Sequence, residues 1–300
     1  MNQPGLGEQS TWTALGLFVV LAAAAAFTPL TGLVVWLMPV PFIVLSIKSS
    51  KLLSLVLAVV MAGVLVAAGL GVATVVFTLG VYLVGWVMGE SMHSADNAFP
   101  SLITGTLVFV MLSLVGLAFL DWSGFHLEAE LLRQSAISLQ MYEPELHLNP
   151  VQVEQMSSEV VHRITALLPA IVVILSFLVA VINYVVARSI AGFPRVSAQP
   201  LLSAWRLPSS VIWVYIVTTF CVVFNIGHST PYWWSAVNNA FSLTGFFIGV
   251  QGIAFIWRRI RHTSLRYLWI ILIMIAALFL NSLFILIGLF DSMLYARRMR

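Results

Sequence analysis

Three hundred residues would make two soluble domains at about 150 residues each, but hydrophobic residues are 61% of the chain and charged residues 8%, with a mean hydropathy of +1.02. A soluble domain carries about 25% charged residues, so this composition cannot build a surface for water; soluble enzymes, disordered chains and nucleic-acid binders are excluded. The net charge of +3 is the residue of segregated acidic and basic segments, and the single Cys221 rules out an intrachain disulfide.

The first apolar run, Thr11 to Phe27, ends at Pro29. Its small residues Ala22 to Ala26 resemble a signal-peptide cleavage region, but the preceding residues lack Lys and Arg and include Glu8, unlike a basic n-region. An uncleaved span is the expectation. The second run, Leu33 to Ile47, contains Pro39 and Pro41, which remove hydrogen bonds and predict a kink or break. Lys48 and Lys51 form a basic turn. The run from Leu52 to Met88 is too long for one span, and Gly69-Leu70-Gly71 divides it into about 52–68 and 71–88. A polar loop from Glu90 to Asn97 precedes Pro100 and a span at about 101–120.

Asp121 to Arg163 is the only long hydrophilic stretch, with seven acidic and two basic residues. Asn149-Pro150 followed by Glu154 predicts a helix start, by cap, N1 proline and acidic first turns. That helix runs toward a span at 164–187, bent at Pro169. Arg188, Arg195 and Arg206 mark the next loop. Spans at about 209–226 and 235–257 follow, then the basic residues Arg258, Arg259, Arg261 and Arg266, and a last apolar run from Leu268 to Tyr295 before Arg297, Arg298 and Arg300. At about 20 residues per span, the fold class is an all-α polytopic bundle with about nine apolar spans and one acidic, partly helical extracytoplasmic segment.

Lys and Arg concentrate on the cytoplasmic side. The rule places Lys48/Lys51, Arg188–Arg206 and Arg258–Arg266 inside and residues 121–163 outside, with the N-terminus inside. A ninth full span would put the basic tail outside. Either a tilted helix ends there against the rule, or the chain folds back near Asn281.

The ordered motifs Met38-Pro-Val-Pro41, the Gly-rich 62–89 region, Leu167-Leu-Pro169, Arg206-Leu-Pro208, Gln251-Gly252 and Gly288-Leu-Phe-Asp291 cover most of the chain. They resemble the YybS-type family of bacterial multi-pass membrane proteins, whose biochemical role is uncharacterised. The N-terminal spans are similar to the substrate-binding S components of energy-coupling-factor transporters. That similarity implies a six-span bundle over 1–188, including the segment 121–163, followed by additional spans over 189–300. It also implies a small-residue docking face on the first span, where Ala22 and Ala26 lie, for other membrane subunits.

Ala22 and Ala26 are four residues apart, on one helix face, and suit either a partner helix or internal packing. Asn225, His228, Trp233, Trp234, Asn238 and Asn239 cluster amide, imidazole and indole groups at one outer turn. They suit a small ligand in an aromatic-walled pocket, or an interface belt with amide bonds between helices. Glu90, His93 and Asp96 read as a solvated loop, and no metal or other cofactor is expected. Gln251, Asn183 and Asn281 read as interhelical amides, and Asp291 as a partner of the tail or of Arg266. No HExxH, GxSxG or Walker A sequence is present, so an enzyme is not expected. Two functions remain: a small-molecule-binding or transport-type subunit acting with partner proteins, or a scaffold recruiting partners through 121–163 or a small-residue face. Either would sit in the bacterial cytoplasmic membrane, bound to lipid and not to nucleic acid.

Overall fold

The computed structural model describes residues 5–27, 31–48, 51–67, 69, 71, 73–94, 98–146, 149–191 and 205–298. Among these, the protein is helical and has no strand. The helices are α1 (Gly5–Phe27), α2 (Thr31–Val34), α3 (Pro39–Lys48), α4 (Lys51–Ala67), α5 (Ala73–Ser94), α6 (Phe99–Trp122) and α7 (Leu127–Leu146). They continue as α8 (Pro150–Ala166), α9 (Leu168–Ala191), α10 (Ser209–Val223), α11 (Pro231–Ile260), α12 (Arg266–Phe279) and α13 (Asn281–Arg298).

Within α5, α6, α9 and α11 lie four stretches long and apolar enough to cross a membrane, and α12 with α13 adds a fifth if that pair is one broken span. About nine apolar spans are expected from the sequence. The difference is length: α4, with 17 residues, reaches about 26 Å at 1.5 Å per residue, short of a hydrocarbon core of about 30 Å. The run at 33–47 is divided, and the run at 268–295 bends by 109° at its break.

Local chemistry explains these breaks. Gly69 and Gly71 both take positive φ, +85° and +79°, where a side chain would be strained, and the chain turns there between α4 and α5. Between α2 and α3 a 3₁₀ turn, Val35–Leu37, precedes Pro39, which opens α3. Asn149 caps α8 in a reciprocal box: its Oδ1 accepts from the Gln152 N–H at 2.8 Å, and Gln152 Oε1 accepts from the Asn149 N–H at 2.9 Å. Two helices, α7 and α8, thus replace the single predicted helix start in the acidic segment.

The chain forms two compact units, residues 1–112 with 175–201, and residues 113–174 with 202–300. This partition is discontinuous in sequence, whereas the sequence reading divides the chain at 188. In the first unit α3 is the buried centre, with every side chain from Pro39 to Ser46 buried. Phe42 meets Phe18 and Tyr82 edge-on, at 5.7 and 6.0 Å between ring centroids, and Met38, Ala58 and Val81 complete the cluster. Gly85 and Gly89 of α5 let its backbone lie against Phe42 and Ser46.

In the second unit α7 and α8 form a hairpin. Val153, Ser157 and Val161 are buried at four-residue spacing, the helical period of one face. The helices α11 and α13 pack backbone to backbone. A Cβ on Gly252 would collide with the Phe284 carbonyl oxygen, and one on Gly288 with that of Ile248.

Gly252→Ala is therefore expected to force α11 and α13 apart, at a cost of about 1–3 kcal/mol or more. Gly116→Ala, which meets nothing within 4 Å, is the control. Thermal unfolding in detergent, followed by tryptophan fluorescence, should show a lowered midpoint for the first variant alone; equal midpoints would refute the close contact.

Candidate functional site

An N–H or C=O inside a bilayer needs a partner from the chain itself, and proline breaks a helix's own ladder. Three buried amide side chains meet this need at three prolines. In the first unit, Asn183 of α9 is fully buried. Its Nδ2 donates to the Trp36 carbonyl at 2.7 Å, in the turn before Pro39, and to Val179 O at 2.9 Å.

In the second unit, α8 ends at Ala166 and α9 begins at Leu168, one residue before Pro169. Asn239 of α11 fills the break. Its Oδ1 accepts from the Ala170 N–H at 2.8 Å, and its Nδ2 donates to Ala166 O at 2.7 Å and to Ser235 O at 2.8 Å. The Ser235 hydroxyl also donates to Ala166 O, at 2.9 Å. Twelve residues along α11, Gln251 Oε1 accepts from the Leu207 N–H at 3.1 Å, beside Pro208.

Gln251 also anchors the most charged buried site among the described residues. Its Nε2 donates to Asp291 Oδ2 at 3.2 Å and to Ser292 Oγ at 2.8 Å, and the Ser292 hydroxyl donates to Gly288 O at 2.8 Å. Asp291 Oδ2 receives Arg258 Nη2 at 2.6 Å and has Arg206 Nη1 at 3.8 Å. Asp291 is only 6% exposed and Gln251 2%, so the carboxylate is held by charge and hydrogen bonds rather than by water. Arg258 Nη1 reaches Trp205 O at 3.5 Å, and the Trp205 ring stacks on Phe247. The cluster thereby ties residues 205–207, α11 and α13 together. Ionisable groups in apolar helices are candidates for functional sites, and this carboxylate with two guanidinium groups is one such candidate.

Asp291 is expected from the sequence to pair with the tail or Arg266. The side chains of Arg266 and of the tail arginines lie outside the described residues; among the described side chains Asp291 pairs with Arg258 and Arg206, where α13 lies along α11. The signal is present in the sequence: Gln251 and Arg258 are seven residues apart, two turns on one face, and Gly245 and Gly252 mark an adjoining small-residue stripe of the same period.

The outer-turn candidates divide. Asn225 takes a left-handed φ of +52° after α10 and is exposed. The His228 ring lies edge-on to Trp234 at 4.8 Å, and Trp233 packs over Gly227, whose φ is +78°. Asn238 Nδ2 donates to Trp234 O within its own helix, at 2.7 Å. Asn239 is turned away, and both ends of its amide are occupied by the α8–α9 break. Ala22 and Ala26 belong to α1, but their side chains lie outside the described residues, as does Asp96; Glu90 and His93 are exposed. Asn281 is exposed at the start of α13.

Apolar helices of membrane-spanning length, with amides and one ion pair buried at their breaks, define a multi-pass helical membrane protein. The chain belongs to the family described as Predicted membrane protein (DUF2232), which matches residues 16–292. No curated protein and no solved structure matches it.

Replacing one partner of the buried pair, Asp291→Asn, leaves Arg258 facing a neutral amide and is expected to cost about 3–5 kcal/mol. Asp291→Leu combined with Arg258→Met should recover most of that loss. Denaturant unfolding in mild detergent reads both. A double variant no more stable than Asp291→Asn would show that the pair is not what holds α13.

Proposed function

We propose that the protein is a non-catalytic, multi-pass subunit of the bacterial cytoplasmic membrane that works with separate partner proteins and recruits them through the α7–α8 hairpin on the outer side. The hairpin is the observation that carries this reading. It is a two-helix element whose apolar seam is used internally, while Glu128, Glu154 and Glu159 are exposed. Arg133, with Gln134, holds the Glu130 carboxyl down at about 2. With seven acidic and two basic residues in 121–163, the hairpin keeps its negative charge at neutral pH and suits a basic partner surface.

The contacts of the second unit support the topology. Asn239 meets Ala166 and Ala170, so the turn before α11 and the end of the hairpin share a level, as two outer segments should. Arg206 and Arg258 meet at Asp291, as two cytoplasmic basic segments should. Asp291 is six residues before Arg297, which supports a cytoplasmic tail reached by the fold-back at Leu280. Four long helices, the bent pair and four shorter apolar helices supply the nine apolar segments of this arrangement. The order of motifs shared with the YybS-type family agrees with it.

A second reading, a transport-type subunit similar to S components, is favoured by one observation. His228, Trp233 and Trp234 gather aromatic and imidazole surface at the outer turn. In that reading a small molecule binds there, with Asn225 and Asn238 beside it.

Cysteines placed at Gln140 and Ser197 in a Cys221→Ser background should react with impermeant reagent from opposite sides of the membrane; reaction from one side sinks the topology. Glu154→Lys with Glu159→Lys should abolish photo-crosslinking of partner proteins from the hairpin while membrane insertion is retained. If crosslinking persists and His228→Ala instead removes a co-purifying small molecule, the transport-type reading replaces the scaffold.

A further inference from the structure

The break between α8 and α9 has an unusual occupant. In an unbroken α-helix the Ala170 N–H donates to the Ala166 carbonyl, four residues back. Here the Asn239 amide stands between them: Ala166 O accepts from Asn239 Nδ2, and the Ala170 N–H donates to Asn239 Oδ1. A side-chain amide has the same donor and acceptor as a peptide group. It therefore splices itself into the ladder at the residue pair flanking Leu167, Leu168 and Pro169.

We infer that Asn239 is a releasable latch on a hinge between α8 and α9, so that the angle of the hairpin is set by α11. The argument is a comparison of hydrogen bonds. If Asn239 withdraws, Ala166 O and the Ala170 N–H pair directly, and the helix runs on with only the kink Pro169 imposes. Asn239 Nδ2 and Ser235 keep partners within α11, because Nδ2 already donates to Ser235 O at 2.8 Å and approaches Ser235 Oγ at 3.3 Å. Only Oδ1 and one Ser235 contact must find replacements. Three contacts across the break are lost and one is gained, so the two arrangements differ by about two net hydrogen bonds, a gap small enough for a two-state element.

Burial gives the latch its leverage. Asn239 is 8% exposed and Ala170 1%, so water does not supply the missing partner, and the break stays closed unless α11 moves. The helix α11 is continuous for 30 residues, and its other end carries Gln251 and Arg258. A movement of α11 relative to the start of α9 therefore reaches the hairpin through Asn239 and Ser235. The latch does not depend on which partner the hairpin binds.

The test uses the full chain in lipid nanodiscs, without any partner. Spin labels are attached at Gln155→Cys on α8 and Ala236→Cys on α11, in a Cys221→Ser background, and the distance distribution is measured. The parent should show one main distance. Asn239→Ala should raise the ratio of a second population to the main one by roughly thirtyfold, the factor equivalent to the two hydrogen bonds that the amide makes across the break. Pro169→Ala, which favours the continuous helix while leaving Asn239 in place, should shift the distribution in the same direction. Asn238→Ala, whose side chain bonds only within its own helix, is the control and should match the parent. If Asn239→Ala does not fold, Pro169→Ala decides. A Pro169→Ala distribution identical to the parent overturns the latch, as does a shift of the same size in Asn238→Ala.

Discussion

A carbonyl or N–H with no partner is costly in an apolar surrounding, and prolines create such groups. Pro39, Pro169 and Pro208 stand beside the buried amides Asn183, Asn239 and Gln251. Each amide comes from another segment of the chain and each bonds a backbone group near its proline. Pro39 and Pro169 lie at the starts of helices that follow breaks, and Pro208 caps α10; the amides supply hydrogen-bond partners there. Helix packing follows, because an amide reaches a broken ladder only if its own helix lies close.

Close approach is supplied by glycine. Gly85 and Gly89 bring α5 onto α3, and Gly252 and Gly288 bring α11 onto α13. Lipid tails are as apolar as leucine, so van der Waals contact and hydrogen bonding, rather than exclusion from water, hold such helices together. The Asp291–Arg258 pair belongs to the same scheme. A buried pair contributes little net stability after desolvation, but losing one partner is expensive. The pair therefore specifies how α13 lies on α11 more than how tightly it does. With Asn239 toward one end and Gln251 and Arg258 toward the other, α11 is the element through which the second unit is registered.

What was legible in the sequence is what local backbone chemistry decides. Gly69 and Gly71 announce a turn, Pro39 a break, Asn149 a cap, and Asn281 the neighbourhood of the bend between α12 and α13; each acts within a few residues. The span count was less legible, because hydropathy cannot tell a 17-residue helix such as α4 from a full span. The Arg258 partner of Asp291 is not legible from local spacing, because it is 33 residues away across a helix pair. Asn238 and Asn239 were read together as walls of one pocket. On a helix, adjacent residues point about 100° apart, and that rotation sends Asn239 into the α8–α9 break while Asn238 bonds its own helix. The function is least legible, since recruitment of partners as proposed would depend on surfaces, not on a motif with fixed spacing.

The claim that buried amides complete proline-broken helices is tested most directly by a double-mutant cycle on unfolding free energy in detergent, using Asn239→Leu and Pro169→Ala. Asn239→Leu alone should be destabilising, since it removes the acceptor of the Ala170 N–H and one of the two donors to the Ala166 carbonyl, and the direct pairing that replaces them is strained by the kink at Pro169. In the Pro169→Ala background that pairing forms without the kink, and the same substitution should cost at least about 1 kcal/mol less. Costs that add, with no coupling between the two sites, would contradict the account.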